Sequence, residues 1–204
     1  MMSQFNRLLS ISTLTQLADE IVSAKIVLPW ILLSLNAPLW MLTLLVPIKE
    51  SGALLPQWSV QKILAARFST ATIWRTGMLL QGGALLCIVN VLLWLASSSI
   101  AAYVILGSVT VLSLGRALCS FTIKDIQAHN VEKGRRGKLM GAGGSIAGFV
   151  TILVALLLWQ FDLHNPADKV SAPAYSILTI LVLAGCGCYA VGLVLSHAVN
   201  MPKS

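Results

Sequence analysis

Apolar residues run consecutively through three stretches of the chain, Gly77 to Ser99, Leu139 to Phe161 and Val170 to Met201, none of which contains Asp, Glu, Lys or Arg. Each exceeds the roughly 20 residues that a helix needs to cross about 30 Å of hydrocarbon. Unbroken runs such as Leu153-Val154-Ala155-Leu156-Leu157-Leu158-Trp159 lack the period-two alternation of a membrane barrel. The pattern predicts an all-α, polytopic membrane helix bundle, because in lipid the backbone polar groups must be satisfied within helices or closed barrels.

A fourth run, about 100–123, is interrupted by a single arginine, Arg116. The first quarter is ambiguous. Ile26 to Ile48 reads either as one crossing, giving five helices, or as two separated at Asn36-Ala37-Pro38, giving six, since proline disfavours helix for the residue before it. The six-helix reading places helices at about 19–35, 38–57, 77–97, 100–123, 139–161 and 174–199 within a membrane domain over 19–200. An interfacial segment, 1–18, precedes it and a short tail, 201–204, follows. Pro29, Pro38, Pro47 and Pro56 recur at a constant interval, either as hinges around a site or as ordinary turns and tolerated kinks.

Composition agrees with the pattern: 57% of residues are hydrophobic and only 10% charged, with a mean hydropathy of +0.85. The net charge of +7 comes largely from two short loops, one holding Lys62, Arg67 and Arg75, the other Lys124, Lys133, Arg135, Arg136 and Lys138. That is the positive-inside signature, and it places both loops and the C-terminus in the cytoplasm; the N-terminus is cytoplasmic in the six-helix reading and external in the five-helix one. The basic residues form no extended, solvent-accessible track, so no nucleic-acid partner is expected. The uncharged link Ser97-Ser98-Ser99 and the net-acidic link from Asp162 to Lys169 then lie outside. Arg7 precedes a polar stretch, not an apolar one, and no cleaved leader is expected.

Cys87, Cys119, Cys186 and Cys188 all fall within predicted spans and read as small packing residues, not as disulfides or metal ligands. His129, His164 and His197 have no acidic companions at ligand or catalytic spacing. Gly134-Arg135-Arg136-Gly137-Lys138 lacks the strand, the loop length and the Ser/Thr of a phosphate-binding loop. These readings give no enzyme, no metal and no cofactor.

The residues that carry chemistry are therefore charges inside the spans. Arg116, Ser120 and Lys124 share one helical stripe, which must face the bundle interior. Counted from Ile100, Arg116 falls about 24 Å along its helix at 1.5 Å per residue, nearer the cytoplasmic end than the midplane, so it reads either as a functional charge or as an arginine whose stem reaches the inner headgroups. Asp125 or Glu50 is its expected partner. In the six-helix reading Lys49 and Glu50 lie inside the second helix, where they must pair or line a cavity. Gly137, Gly141, Gly144, Ser145 and Gly148 give the fifth helix a nearly bare face, and Ala184, Cys188, Gly192 and Ser196 do the same for the sixth; helix packing is the expected use of both.

The run from Arg116 through Lys124-Asp125, followed by Gly134-Arg135-Arg136-Gly137-Lys138-Leu139-Met140-Gly141, resembles the fourth helix, cytoplasmic loop and fifth helix of major facilitator superfamily permeases. Leu28-Pro29-Trp30 through Pro56-Gln57 is similar to the first two helices of a bacterial branch of that superfamily. The resemblance implies six helices in a bacterial inner membrane, equivalent to the N-terminal half of a permease that moves a small solute by alternating access. It implies a role in proton coupling or substrate handling for Arg116, with Ser120, Lys49 and Glu50 in the solute or coupling-ion pathway. Lys124, Asp125, Arg135, Arg136 and Lys138 fall to a cytoplasmic gating or topology loop, and Gly141, Gly144, Gly148 and Gly192 to helix packing. The segment 58–76 departs from the family by lacking its acidic and basic signature. Such permeases have two six-helix halves and this chain supplies one, so the lipid bilayer, a small-molecule solute and either a second copy or a C-terminal half are the expected partners. A non-transporting membrane subunit or a remnant of a permease is the alternative.

Overall fold

The structure, a computed structural model, describes residues 4–23, 25–96, 98, 100–164 and 172–200, with side chains 53–66, 133, 161–164 and 172–175 outside the description. Expectations for residues 165–169 and for the tail 201–204 lie outside the described residues, as do the side chains of Pro56, Lys62, Lys133 and His164. Seven helices and no strand occur among the described residues: α1 Gln4–Ile21, α2 Val27–Ser34, α3 Leu39–Arg67, α4 Thr70–Asn90, α5 Ala101–Asn130, α6 Lys133–His164 and α7 Ala172–Ser196. A single π turn, Val91–Leu95, continues α4. Four of these segments, Thr70–Leu95, Ala101–Asn130, Gly134–Gln160 and Ser176–Ser196, are long and apolar enough to cross a membrane.

Proline chemistry sets the breaks in the first quarter. Pro29 has no N–H and its ring crowds the carbonyl four residues earlier, at Lys25, so a helix running through that position is disfavoured. The chain accordingly leaves α1 at Ile21 and re-enters helix at Val27, where Pro29 falls in the first turn and is tolerated. After α2, Asn36 takes a left-handed φ of 53°. Its amide donates to Leu33 O at 3.0 Å and the Ala37 amide to Leu32 O at 3.0 Å, the bond pair of a Schellman cap. Pro38 then precedes α3, so the chain breaks at Asn36-Ala37-Pro38 and does not cross from Ile26 to Ile48 as one helix.

The packing adds to two expectations. Residues 4–18 form most of α1, whose Leu8 and Ile11 are fully buried. The basic segments are also largely helical. Only Phe68 and Ser69 separate α3 from α4, and only Val131 and Glu132 separate α5 from α6. Hydropathy marks where lipid can lie, whereas backbone hydrogen bonding carries each helix past that limit; Ser69 caps the extended α4 by accepting from Thr72 N at 3.2 Å.

The helices pack in a repeating arrangement. α1 runs parallel to α6, with Gln16 against Gly143 and Glu20 bonded to Thr151. α3 runs parallel to α5, with Trp40 against Tyr103 and Gly52 against Ser113. α4 lies antiparallel to α5 and α7 antiparallel to α1, and α4 and α7 pack on each other. Counting α1 with α2 as one broken pass, exchange of the first three passes with the last three leaves this set of neighbours and directions unchanged.

Close approach occurs where glycines cross. A Cβ on Gly77 would stand 2.8 Å from Gly115 O, and one on Gly115 would stand 2.8 Å from Gly77 O, so the α4–α5 crossing needs both glycines. A Cβ on Gly192 of α7 would stand 3.8 Å from Thr15 and 3.9 Å from Ile11 of α1. On α6, a Cβ on Gly144 would meet Gln16 Oε1 at 3.8 Å, while one on Gly141 or Gly148 would meet nothing within 4 Å among the described residues.

One end of the bundle gathers the basic residues Arg7, Arg67, Arg75, Lys124, Arg135, Arg136 and Lys138. Arg7 donates to Ala198 O, Arg75 to Ser196 O and Asn130 to Asn200 O, tying the starts of α1 and α4 and the end of α5 to the end of α7. Exposed Trp40, Trp94 and Tyr103 gather at the opposite end, as in an interfacial aromatic belt.

Candidate functional site

The carboxylate of Asp19, in the last turn of α1, is the hub of the buried polar residues. Its Oδ2 lies 3.5 Å from Arg116 Nε of α5. Its Oδ1 lies 2.9 Å from the hydroxyl of Tyr189, on α7. That hydroxyl is also 2.8 Å from Oε1 of Gln81, on α4. The Gln81 amide is oriented by Nε2, which donates to Gly77 O and Cys119 Sγ, both at 3.3 Å. Lys49 of α3 completes the cluster, its ammonium donating to Asp19 O at 3.1 Å and Val22 O at 2.9 Å. Five of the seven helices thus meet around one acidic residue.

Arg116 falls at the midpoint of α5, since the helix continues to Asn130, and Asp19 falls midway along the pass from Gln4 to Ser34. The arginine is therefore central in its helix and not near the basic end. Its side chain keeps 35% of its exposure and that of Asp19 keeps 17%. Among the described residues Asp19 is its ion-pair partner, in place of Asp125 or Glu50; Asp125 and Glu50 are both exposed. Lys49 and Glu50 do not act as a pair, because adjacent positions on a helix point about 100° apart: Lys49 is buried and Glu50 is on the surface.

A cavity of about 550 Å³ opens beside this cluster, walled by α1 and α6 on one side and α5 on the other, with Trp74 and Gln81 of α4 behind. Ser12, Thr15, Gln16, Asp19 and Glu20 line it from α1, Arg116, Ser120 and Gln127 from α5, and Gly144, Gly148 and Thr151 from α6. Ser12 is buried and its hydroxyl has no hydrogen-bond partner among the described residues. The guanidinium turns Nε toward Asp19, and its two terminal nitrogens make no hydrogen bond among the described residues.

Two of the four pathway candidates from sequence, Arg116 and Ser120, line this cavity. The loop candidates are spread out. Lys124 and Asp125 stand exposed on the last turns of α5, and Lys138 is exposed on α6. Arg135 lies 3.9 Å from Glu132, and Arg136 donates to Val131 O and Ala128 O at the end of α5, where the helix dipole favours a cation. Asp19, Gln81 and Tyr189 are the site residues that sequence reasoning missed. The available signal was the polar face of Ser12, Thr15, Gln16, Asp19 and Glu20, spaced to share one side of a helix.

All four cysteines are free thiols. Among the described residues no cluster of three or more His, Cys, Asp or Glu side chains is placed to hold a metal ion. Comparison of the chain with protein-family models, curated proteins and solved structures gives no match.

Proposed function

We propose that this bundle is one half of a carrier of the major facilitator type, which moves a small solute across the membrane by alternating access, and that Asp19 and Arg116 form its coupling pair. The observation that carries the reading is the ion pair at mid-length beside an open cavity whose walls include polar and charged residues. A charge inside a membrane helix is costly, and such residues face water-filled pathways or one another. Arg116 and Asp19 do both.

Two features support the carrier class. Exchange of the first three passes with the last three preserves neighbours and their relative directions while turning each pass over, which is the arrangement that inverted-topology repeats produce, and carriers built from them bind solute near the membrane midplane. The cavity also lies between two parallel helix pairs, α1 with α6 and α3 with α5, and the Asp19–Arg116 pair bridges them. Opening or closing that bridge is a natural step in moving one pair against the other. The reading takes α1 with α2 as one broken crossing and α3 as the second, giving six, with the basic end in the cytoplasm. A second six-helix unit, either another copy or a C-terminal half, supplies the facing wall.

Proton coupling follows from the hydrogen-bond arithmetic. Tyr189 has one hydroxyl proton but lies between two acceptors, Asp19 Oδ1 and Gln81 Oε1. A proton on Asp19 would satisfy the second contact and weaken the attraction to Arg116 in one event. The test is solute-dependent proton movement in proteoliposomes across a panel of small metabolites and drugs. Arg116→Ala and Asp19→Asn should abolish it at unchanged membrane abundance; retained movement in both variants would exclude the pair from coupling.

A further inference from the structure

The break in the first pass leaves carbonyls without helical donors, and one side chain occupies the place they create. In a continuous helix Val22 O would accept from the amide of Ile26, but that amide turns to Ser23 O at 3.4 Å. The last carbonyls of α1 therefore face outward at the negative end of its dipole. Lys49 reaches them from α3. It is buried, at 4% exposure, and its ammonium lies 3.1 Å from Asp19 O and 2.9 Å from Val22 O. Unwound backbone carbonyls and the C-terminal ends of half-helices are the groups with which broken membrane helices coordinate monovalent cations. Here the acceptors, the dipole end and the acidic residue Asp19 converge on a positive charge that the chain carries itself.

We infer that the break between α1 and α2 is a monovalent-cation site whose occupant is the tethered ammonium of Lys49, and that removing this ammonium turns the break into a sodium site. The inference stands on the geometry of the break and does not require the protein to transport anything. It distinguishes Lys49 from a residue that merely fills space, because an apolar replacement of equal length restores packing but leaves the carbonyls and the local negative charge unmatched. It also gives the buried lysine a purpose: a fixed internal cation makes the first pass independent of the ions outside.

The experiment is thermal unfolding of the purified full chain in mild detergent, for the wild type, Lys49→Ala and Lys49→Met. Sodium chloride is titrated against choline chloride at constant ionic strength. The wild-type midpoint should be the same in both salts. Both variants should melt earlier in choline and recover saturably with sodium, by roughly 5–10 °C at a hundredfold excess over Kd. Lys49→Met preserves the stem, so its recovery cannot come from refilling a void. The inference is overturned if sodium and choline act alike on the variants, if the wild type responds as they do, or if neither variant yields folded protein at any sodium concentration.

Discussion

Asp19 and Arg116 meet 3.5 Å apart at the midpoints of their respective passes, joining α1 to α5 across a cavity that otherwise separates them. Neither charge is sealed from water, and each is needed by the other. Removing one partner of a fully buried pair costs about 3–5 kcal/mol because the remaining charge is stranded. With a third of the Arg116 side chain still exposed, the expected cost of Arg116→Ala is nearer 2 kcal/mol. Combining it with Asp19→Asn should recover most of that loss in a double-mutant cycle of detergent thermal unfolding. Additive losses would mean that the two residues are not coupled.

Tyr189→Phe removes the hydroxyl that touches Asp19 and Gln81 while keeping the ring, which is 2% exposed. Leaving buried acceptors unmatched costs about 1–3 kcal/mol. The variant should unfold at lower temperature. It should also lose solute-dependent proton movement more completely than a variant equally destabilised at a distant position.

The glycines separate into two kinds that a helical wheel does not distinguish. Gly77→Ala would set a methyl 2.8 Å from Gly115 O and 2.7 Å from Cys119 Sγ, forcing α4 and α5 apart, with an expected loss of roughly 1–3 kcal/mol. Gly141→Ala meets nothing within 4 Å and gains helix propensity, worth up to about 1 kcal/mol. The first should lower the unfolding midpoint and the second should hold or raise it; the reverse order would contradict the crossing.

These glycines also show what a sequence can and cannot reveal. The helices containing 77–95, 101–123, 139–160 and 176–196 are legible because each presents enough consecutive apolar residues to fill a bilayer, a property of one segment alone. A crossing belongs to two segments, so Gly77 and Gly115 are ordinary in sequence, while the regular spacing of Gly137, Gly141, Gly144 and Gly148 draws attention to a face that is largely open. α1 is obscured for a related reason. Its buried Ser12 and its polar Thr15, Gln16 and Asp19 lower its hydropathy because they face the cavity. Arg116 is conspicuous as a lone charge in an apolar run, but its partner is hidden because Asp19 lies just ahead of the apolar run that starts at Ile26. Lys49 is conspicuous too; that it caps the broken end of α1 depends on a break that only Pro29 hints at.

Asn36 tests the turn that separates α2 from α3. At a φ of 53° a β-branched side chain is strained by about 1–2 kcal/mol, whereas glycine is at ease. Asn36→Ile should lower the unfolding midpoint and Asn36→Gly should leave it nearly unchanged. Similar behaviour of both would mean that the left-handed cap is not needed.

The central claim is that a water-filled cavity reaches the middle of this membrane bundle beside the Asp19–Arg116 pair. Its most direct test is labelling of Ser120→Cys by a membrane-impermeant maleimide in sealed vesicles of known orientation, with Cys87, Cys119, Cys186 and Cys188 replaced. Leu156→Cys, on the outward apolar face of α6, serves as the lipid-facing control. Ser120→Cys should label rapidly and be protected when Arg116 is engaged by solute, while Leu156→Cys stays unlabelled. Ser120→Cys as inert as Leu156→Cys from both sides of the membrane would contradict the cavity and the function built on it.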